Sequence, residues 1–377
     1  MIILDLKADN FYAFKNFHVN FTYPKKIVGS FIKDEHLMGR PNFRYKKINI
    51  IMGANASGKT TLGYMLMNIF NFIDQKNATF IIDNIADNTK EASFTIEMAS
   101  PSYKMYRIIF SLGPVFMEDN KEKRIFDFHV LTTDVGKRDS YETCKARLDA
   151  MDYSYEIKSI DDELDKIEKL GWFFEHPKDD IRSFLRLPQN DDMFLGILNK
   201  ILKALDPSII RVDKLEEVKD SYAIRMSFGD LIIQNDEPFL TRKLSSGTKA
   251  GVEIATLLSS LIQGKNQIYY CDEKFSYIHT DIEKAILGVM IDAIKPNEQL
   301  FFTTHNVDVL EMQLPKHSFI FMKKDVMNTN EPIQCLSASD YLKRNTDSIK
   351  KAVENDLFSI APSTEAIYEI LELGATE

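Results

Sequence analysis

Cysteine is scarce in this chain of 377 residues: only Cys144, Cys271 and Cys335 occur. An odd count without metal-ligand spacing argues against a disulfide framework or a structural zinc site, and for reduced thiols in a cytosolic protein. Long apolar runs are missing too. No stretch of about 18 apolar residues occurs, so no membrane-spanning helix is expected, and work at a membrane would need a partner to supply the span. The opening "MIILDLKADNFYAF" lacks a basic stretch followed by an apolar one, so no secretory signal is expected. Net positive charge is absent as well. The formal balance is −9, which argues against a general nucleic-acid coat, although a local basic patch stays open. No internal repeat, low-complexity segment or sustained heptad pattern is present. What remains is 44% hydrophobic and 27% charged, the composition of a soluble globular protein with one large domain or two ordinary ones.

The first 22 residues alternate apolar and polar with many aromatic and β-branched types, which predicts a strand hairpin. Residues 23–47 form a loop in which Lys25, Lys26, Lys33, Arg40, Arg44, Lys46 and Lys47 outnumber Asp34 and Glu35. It is either a solvated surface loop or a contact for nucleic acid or for the adenine end of a nucleotide. "INIIM" (48–52) has the continuous apolar pattern of a buried parallel strand, and "TTLGYMLMNIFNFI" has helical spacing. Four short strands are expected over 78–133, "ATFIID", "ASFTIEMA", "YRIIFSL" and "FDFHVLTT", as an antiparallel lobe. Residues 138–206 read as a helical insertion whose second helix, "DDMFLGILNKILKAL", opens on aspartates suited to a helix N-terminus. Strands resume with "YAIRMSFGDLIIQ" (222–234). After Ser245 the order is helix, strand, helix, strand, the pattern of a parallel α/β sheet.

Three motifs carry chemistry. Gly53-Ala54-Asn55-Ala56-Ser57-Gly58-Lys59-Thr60 matches G-x-x-x-x-G-K-[ST] at every specified position, between a predicted strand and a predicted helix. Glycines let backbone N–H groups form a nest for phosphate, the helix N-terminus adds its positive dipole end, and Lys59 reaches the β- and γ-phosphates. Thr60 supplies a hydroxyl for Mg²⁺, and Gly53, Asn55, Ala56, Ser57, Gly58, Lys59, Thr60 and Thr61 make up the expected nucleotide-binding set. In "QIYYCDEKF" (267–275) a buried strand delivers Asp272 and Glu273 to its C-terminal end, Asp272 for Mg²⁺ and Glu273 to orient and deprotonate the attacking water. In "LFFTTHNVDVLE" (300–311) the next strand places His305 to report the γ-phosphate. Fourth in the argument is "LSSGTK" (244–249), in which Ser245 or Ser246 caps a helix with an apolar face.

The order of P-loop, LSSGTK at a helix start, hydrophobic strand ending in Asp-Glu, and His resembles the ATP-binding-cassette ATPases. The resemblance covers most of the chain outside the insertion. It implies an α/β fold with a parallel-sheet core, an antiparallel β lobe and a helical insertion. The implied layout is an N-terminal core half over 1–137, the insertion over 138–206, a C-terminal core half over 207–331 and a helical tail over 332–377. It also implies a head-to-tail dimer or higher oligomer in which Ser245, Ser246 and Gly247 contact the γ-phosphate held by another subunit. The branch resembles the RecF, structural-maintenance and overcoming-lysogenisation-defect ATPases, of AAA15/AAA21 type, rather than transporter cassettes. The tail "RNTDSIKKAVENDLFSIAP" (344–362) resembles the ending of abortive-infection and PARIS-type antiphage ATPases, or is simply an amphipathic helix and turn.

That resemblance departs from the family pattern in places. Gln75 is the only glutamine between the P-loop and Pro188, so no Q-loop is placed. "KFSYIHTDIE" replaces the usual D-loop, with His279 inside it. No Toprim-like, HNH or Ser/His/Asp motif is present, so effector chemistry would come from another chain. The expected function is an ATP- and Mg²⁺-dependent oligomeric switch in antiphage defence. It would be cytoplasmic, without a membrane, and would hold or release a separate effector such as a nuclease. The alternative is a RecF-type clamp on DNA.

Overall fold

A computed structural model describes residues 1–118, 121–152, 159–175, 188, 191–218, 221–234, 245–344, 346–361 and 364–370. Along the chain, β1 (Ile2–Asp9) and β2 (Phe17–Asn20) pair as the expected antiparallel hairpin. Strand β3 (Ile48–Met52) is buried at every position and leads through the glycine loop into α1 (Lys59–Gln75). A short helix α2 (Thr79–Ile82) follows, then β4 (Ala92–Ala99), β5 (Lys104–Leu112), a small hairpin of β6 (Phe116–Glu118) and β7 (Lys121–Lys123), and β8 (Phe126–Asp134). Helices α3 (Tyr141–Asp149) and α4 (Ile160–Leu164), strand β9 (Trp172–Glu175) and helix α5 (Asp192–Leu205) come next. Strands β10 (Ile209–Leu215), β11 (Ser221–Met226) and β12 (Gly229–Gln234) precede α6 (Ser246–Gln263), β13 (Ile268–Asp272), α7 (Thr280–Ala293) and β14 (Gln299–Thr303). The chain continues with β15 (Phe319–Lys324), β16 (Ile333–Ser337), α8 (Ala338–Tyr341), α9 (Ile349–Glu354) and α10 (Glu365–Tyr368).

The core sheet runs β16-β15-β3-β14-β13-β9, parallel except for the β15–β16 pair. Its two faces are covered separately, as a buried parallel sheet requires. Strand alternation sends Ile51, Tyr270, Phe301, Ile320 and Met322 to the face covered by α1, with Leu62, Met65 and Leu66. It sends Ile50, Met52, Cys271, Phe302 and Phe321 to the face covered by α6 and α7, with Ile254, Leu257, Leu261 and Met290. The antiparallel lobe, ordered β2-β1-β4-β5-β8, packs on the outer side of α1 through an aromatic stack. Phe94 lies on Phe110 at 5.0 Å, and Phe72 of α1 meets Phe110 and Phe128 edge-on. No helix among the described residues is long and apolar enough to cross a membrane.

Three expectations change. "ATFIID" (78–83) is a helical turn, not a strand, because Asn77 accepts the Thr79 N–H and starts a turn locally. The stretch 138–206 is not helical throughout. Trp172–Glu175 within it pair in parallel with β13 as the edge of the core sheet, and α5 shares its own core with β10–β12 and the outer side of α6. The segment after 331 is not only a helical tail, since β16 pairs antiparallel with β15 along the other edge of the sheet.

Candidate functional site

The C-terminal ends of β3, β13 and β14 lie side by side because these strands are parallel neighbours. Each end carries one of the motifs. At the first, Gly53 has no room for a side chain. A Cβ there would lie 2.2 Å from the Met322 carbonyl oxygen and 2.6 Å from Ser57 Oγ. Gly58 sits at φ 101° and Ala56 at φ 62°, and the Ser57 N–H donates to Ala54 O at 3.2 Å, so the loop coils tightly before α1 begins. Asn55 and Ala56 are exposed on its crest, while Thr60 and Thr61 are half-buried on the first turn of the helix. Ser57 is buried, and its Oγ has no hydrogen-bond partner among the described residues. A buried hydroxyl left without a partner fits a loop shaped for a ligand rich in acceptors.

Lys59 is folded onto this loop. Its Nζ donates to Gly53 O at 2.9 Å and Ala54 O at 3.2 Å, and lies 3.0 Å from Glu273 Oε1. Its side chain is 3% exposed and that of Glu273 24%. Tyr270, on the same strand as Asp272, donates its hydroxyl to the Lys59 carbonyl at 2.8 Å and so fixes α1 against β13. The P-loop lysine and the carboxylate at the end of β13 are thus in direct contact.

Asp272 is fully buried and accepts a hydrogen bond from Thr303 Oγ1 at 2.5 Å. Thr303 Oγ1 in turn accepts the Glu273 N–H at 3.0 Å, so one threonine of β14 aligns both acids. Glu273 adopts φ 44°, unusual for a residue with a Cβ. The next side chain, Lys274, turns the other way, to Glu253 at 2.7 Å and Glu175 at 3.0 Å. Burial works against the Lys274 charge, but the two carboxylates outweigh it and hold the ammonium above its usual range.

His305 is exposed just beyond β14. The loop that presents it is tied down by Glu283 of α7, which accepts from Thr304 Oγ1 at 2.8 Å and Asn306 Nδ2 at 2.6 Å. Burial pushes the Glu283 carboxyl up, against these hydrogen bonds. His305 lies at the junction of two cavities. One, of about 240 Å³, is bounded by Glu273, Ser276 and Thr304. The other, of about 890 Å³, is bounded by the P-loop and by Lys350, Val353 and Ile360 of the C-terminal segment.

Ser245 caps α6, its Oγ accepting the Thr248 N–H at 3.0 Å. Ser245 and Ser246 are exposed, and Leu244 lies outside the described residues. Gly247 abuts the turn after Glu273, where a Cβ would sit 2.9 Å from the Tyr277 carbonyl oxygen. Helix α6 runs back along the sheet into β13, so its N-terminus is at the same end as the P-loop. Yet α1 and α6 cover opposite faces, so the fold brings Lys59, Asp272, Glu273 and His305 to one end but leaves Ser245–Gly247 on the other side of the sheet.

The basic loop 23–47 joins β3 at its N-terminal end, five residues or about 16 Å of strand from the P-loop. Its Met38 N–H donates to Asn297 just before β14, and Glu35 meets His317 just before β15, so these contacts lie at the end of the sheet opposite the P-loop. Two of its seven cations are also buried. Lys46 Nζ bonds Asn20 O and Ser337 Oγ, with burial pushing its ammonium down to about 8, and Lys47 Nζ bonds Lys33 O. Sequence reasoning passed over Thr303, Lys274, Glu283, Glu175 and Glu253. Only Lys274, a charge directly after the Asp-Glu pair, was open to notice.

The profile of a protein family described as "AAA domain, putative AbiEii toxin, Type IV TA system" matches residues 48–311. No curated protein matches the sequence. Among solved structures, an Smc head bound to the C-winged helix domain of ScpA is 15% identical, covering 91% of this chain and 100% of that one, at a TM-score of 0.48. An Smc head with an extended coiled coil, bound to the C-terminal domain of ScpA and derived from Pyrococcus furiosus, is 12% identical, covering 91% and 98%, at 0.49. The recombination mediator RecF is 10% identical, covering 89% and 98%, at 0.41.

Proposed function

We propose a function on the premise that this chain belongs to the AAA_21 family of AAA domains: it binds and hydrolyses ATP as a switch that works in pairs or larger assemblies. The observation that carries this reading is the 3.0 Å contact between Lys59 and Glu273 at the mouth of the glycine loop. That contact brings the two side chains together, which supports a phosphate-binding role for Lys59 and a base role for Glu273.

The N–H groups of 53–60 and the start of α1 cradle the phosphates. Lys59 exchanges its contacts with Gly53, Ala54 and Glu273 for phosphate oxygens, a stronger charge-assisted set. Glu273, released from Lys59, accepts the proton of the attacking water. Thr60 and Asp272 supply the oxygen donors that would hold Mg²⁺, which when bound neutralises charge on the phosphates. His305, on the loop that Glu283 holds through Thr304 and Asn306, would hydrogen-bond the terminal phosphate. Ser245, Ser246 and Gly247 start a helix on the opposite face from α1, so their place in the site is on the ATP of a second molecule. Closure of the pair then depends on ATP, and hydrolysis resets it.

In the cell we place this switch in antiphage defence of the abortive-infection kind, in the cytoplasm, holding or releasing a separate effector such as a nuclease. The family's description, "putative AbiEii toxin, Type IV TA system", supports that setting. A clamp on DNA has less support, because Lys46 and Lys47 are buried and the loop that carries them lies far from the P-loop. The test is phosphate release by the purified chain as its concentration rises, with Glu273→Gln as the control. Turnover per subunit that rises with concentration supports a paired site, and concentration-independent turnover argues for a self-sufficient monomer. Mass spectrometry of the complex purified with its genomic neighbour then separates an effector from DNA.

A further inference from the structure

Lys274 takes no part in the chemistry above, yet its side chain is only 5% exposed and is held between two carboxylates. It directly follows Glu273. The backbone of Glu273 is strained at φ 44° and must be held by its surroundings. On one side Thr303 Oγ1 accepts its N–H at 3.0 Å, and Ser276 Oγ donates to its carbonyl at 2.9 Å. On the other side Lys274 is drawn away toward α6, while the Glu273 side chain turns to Lys59 and α1. Two consecutive side chains anchored in opposite directions set the orientation of the peptide between them.

The anchors come from distant parts of the chain. Glu175 ends the edge strand β9, and Glu253 lies on α6. Glu253 is seven residues beyond Ser246, two turns or about 10 Å along the same helix face. The turn that presents Glu273 is therefore wired by an ion cluster around the buried Lys274 to α6, the helix that opens on the LSSGTK signature.

Resting on the reading of Glu273 as the base, we propose that Lys274 is a positioning residue that couples the signature helix and the edge strand to the orientation of Glu273. Displacement of α6 when a partner closes on Ser245–Gly247 passes through Glu253 to Lys274 and so to the Glu273 backbone. The residue contacts Glu175 and Glu253 and acts through Glu273.

Lys274→Met alone leaves two half-buried carboxylates without their shared cation and loses stability on any account. The informative variant is the triple Lys274→Met, Glu175→Gln and Glu253→Gln, which removes the charges together and keeps side-chain size. We expect a melting midpoint close to wild type and KM for ATP within about twofold, but kcat lower by roughly tenfold to a hundredfold, the scale of a misplaced reacting group. A triple variant with wild-type kcat overturns the proposal. So does one whose kcat falls only together with its melting midpoint, because that is a purely stabilising role. Glu273→Gln, assayed beside it, separates the two ideas. If that variant is inactive while the triple is at the wild-type rate, only the role of Lys274 fails. If Glu273→Gln turns over at the wild-type rate, the reading of the site fails and this proposal with it.

Discussion

Replacing Glu273 by Gln should tighten ATP binding while stopping turnover. Lys59 Nζ lies 3.0 Å from Glu273 Oε1, and ATP bound at the P-loop would draw Lys59 from that carboxylate. At an effective dielectric constant near 20, the gross attraction at this distance is about 5 kcal/mol. Partial exposure of Glu273, and the desolvation of both groups, reduce the net value to about 1–2 kcal/mol. Glutamine keeps the shape but not the charge, so this competition disappears, as does the repulsion between carboxylate and phosphate. The expected gain is about 5- to 30-fold in affinity, at 1.4 kcal/mol per factor of ten. Loss of a general base lowers kcat by about 10²- to 10⁴-fold. The assays are titration with a slowly hydrolysed ATP analogue and phosphate release under saturating Mg²⁺ and ATP. Unchanged or weaker affinity would show that the Lys59–Glu273 pair does not compete with phosphate. Wild-type turnover would remove Glu273 as the base.

Gly53→Ala should disturb the loop, because its Cβ would sit 2.2 Å from the Met322 carbonyl oxygen; about 1–3 kcal/mol lost in a denaturant melt, with weaker nucleotide binding, is the expected pair of readings. Ser245→Arg should leave ATP binding by the P-loop largely intact and abolish turnover by blocking closure. Ser245→Asn, which keeps a cap acceptor for α6, controls for helix stability, and full turnover in the Arg variant would reduce LSSGTK to a helix cap. Asp191 offers a pH test. Burial raises its carboxyl, but Gln263, the Phe194 N–H and Lys265 outweigh burial and hold it at about 2, below its ordinary 3.8. A carboxyl lowered in the folded state stabilises the fold above 3.8, and that contribution is lost as the pH falls toward about 2. Asp191→Asn should therefore lower stability at neutral pH and flatten the acid limb of the unfolding curve, as followed by circular dichroism.

The local signals were readable from the chain alone. Gly53–Thr60 has a spacing that few other functions require, Ile48–Met52 is apolar without a break, and the alternation in residues 1–22 and 92–133 has the period of a strand. Each of these is dictated by backbone sterics or by burial of neighbouring residues, so a short window carries it. The same windows mislead at "ATFIID", where an apolar run reads as a strand although Asn77 starts a helical turn. They also mislead at Trp172–Glu175 and Ile333–Ser337, whose pairing with β13 and β15 depends on partners 96 residues away (Trp172↔Ile268) and 9 to 17 residues away (Lys324↔Ile333 to Ile320↔Ser337) along the chain.

Tertiary structure alone decided which charges meet. Nothing in the order of residues says that Lys59 rests on Glu273, that Thr303 aligns both acids, or that Lys274 is held between Glu175 and Glu253. Nor does it say that Lys46 and Lys47 are buried in a loop that reads as a basic surface. Sequence determines which groups are available and the local conformation of the segments that carry them. Coulomb and hydrogen-bond energies act over a few ångströms, and those distances exist only once parallel strands have brought far-separated residues to one end of a sheet.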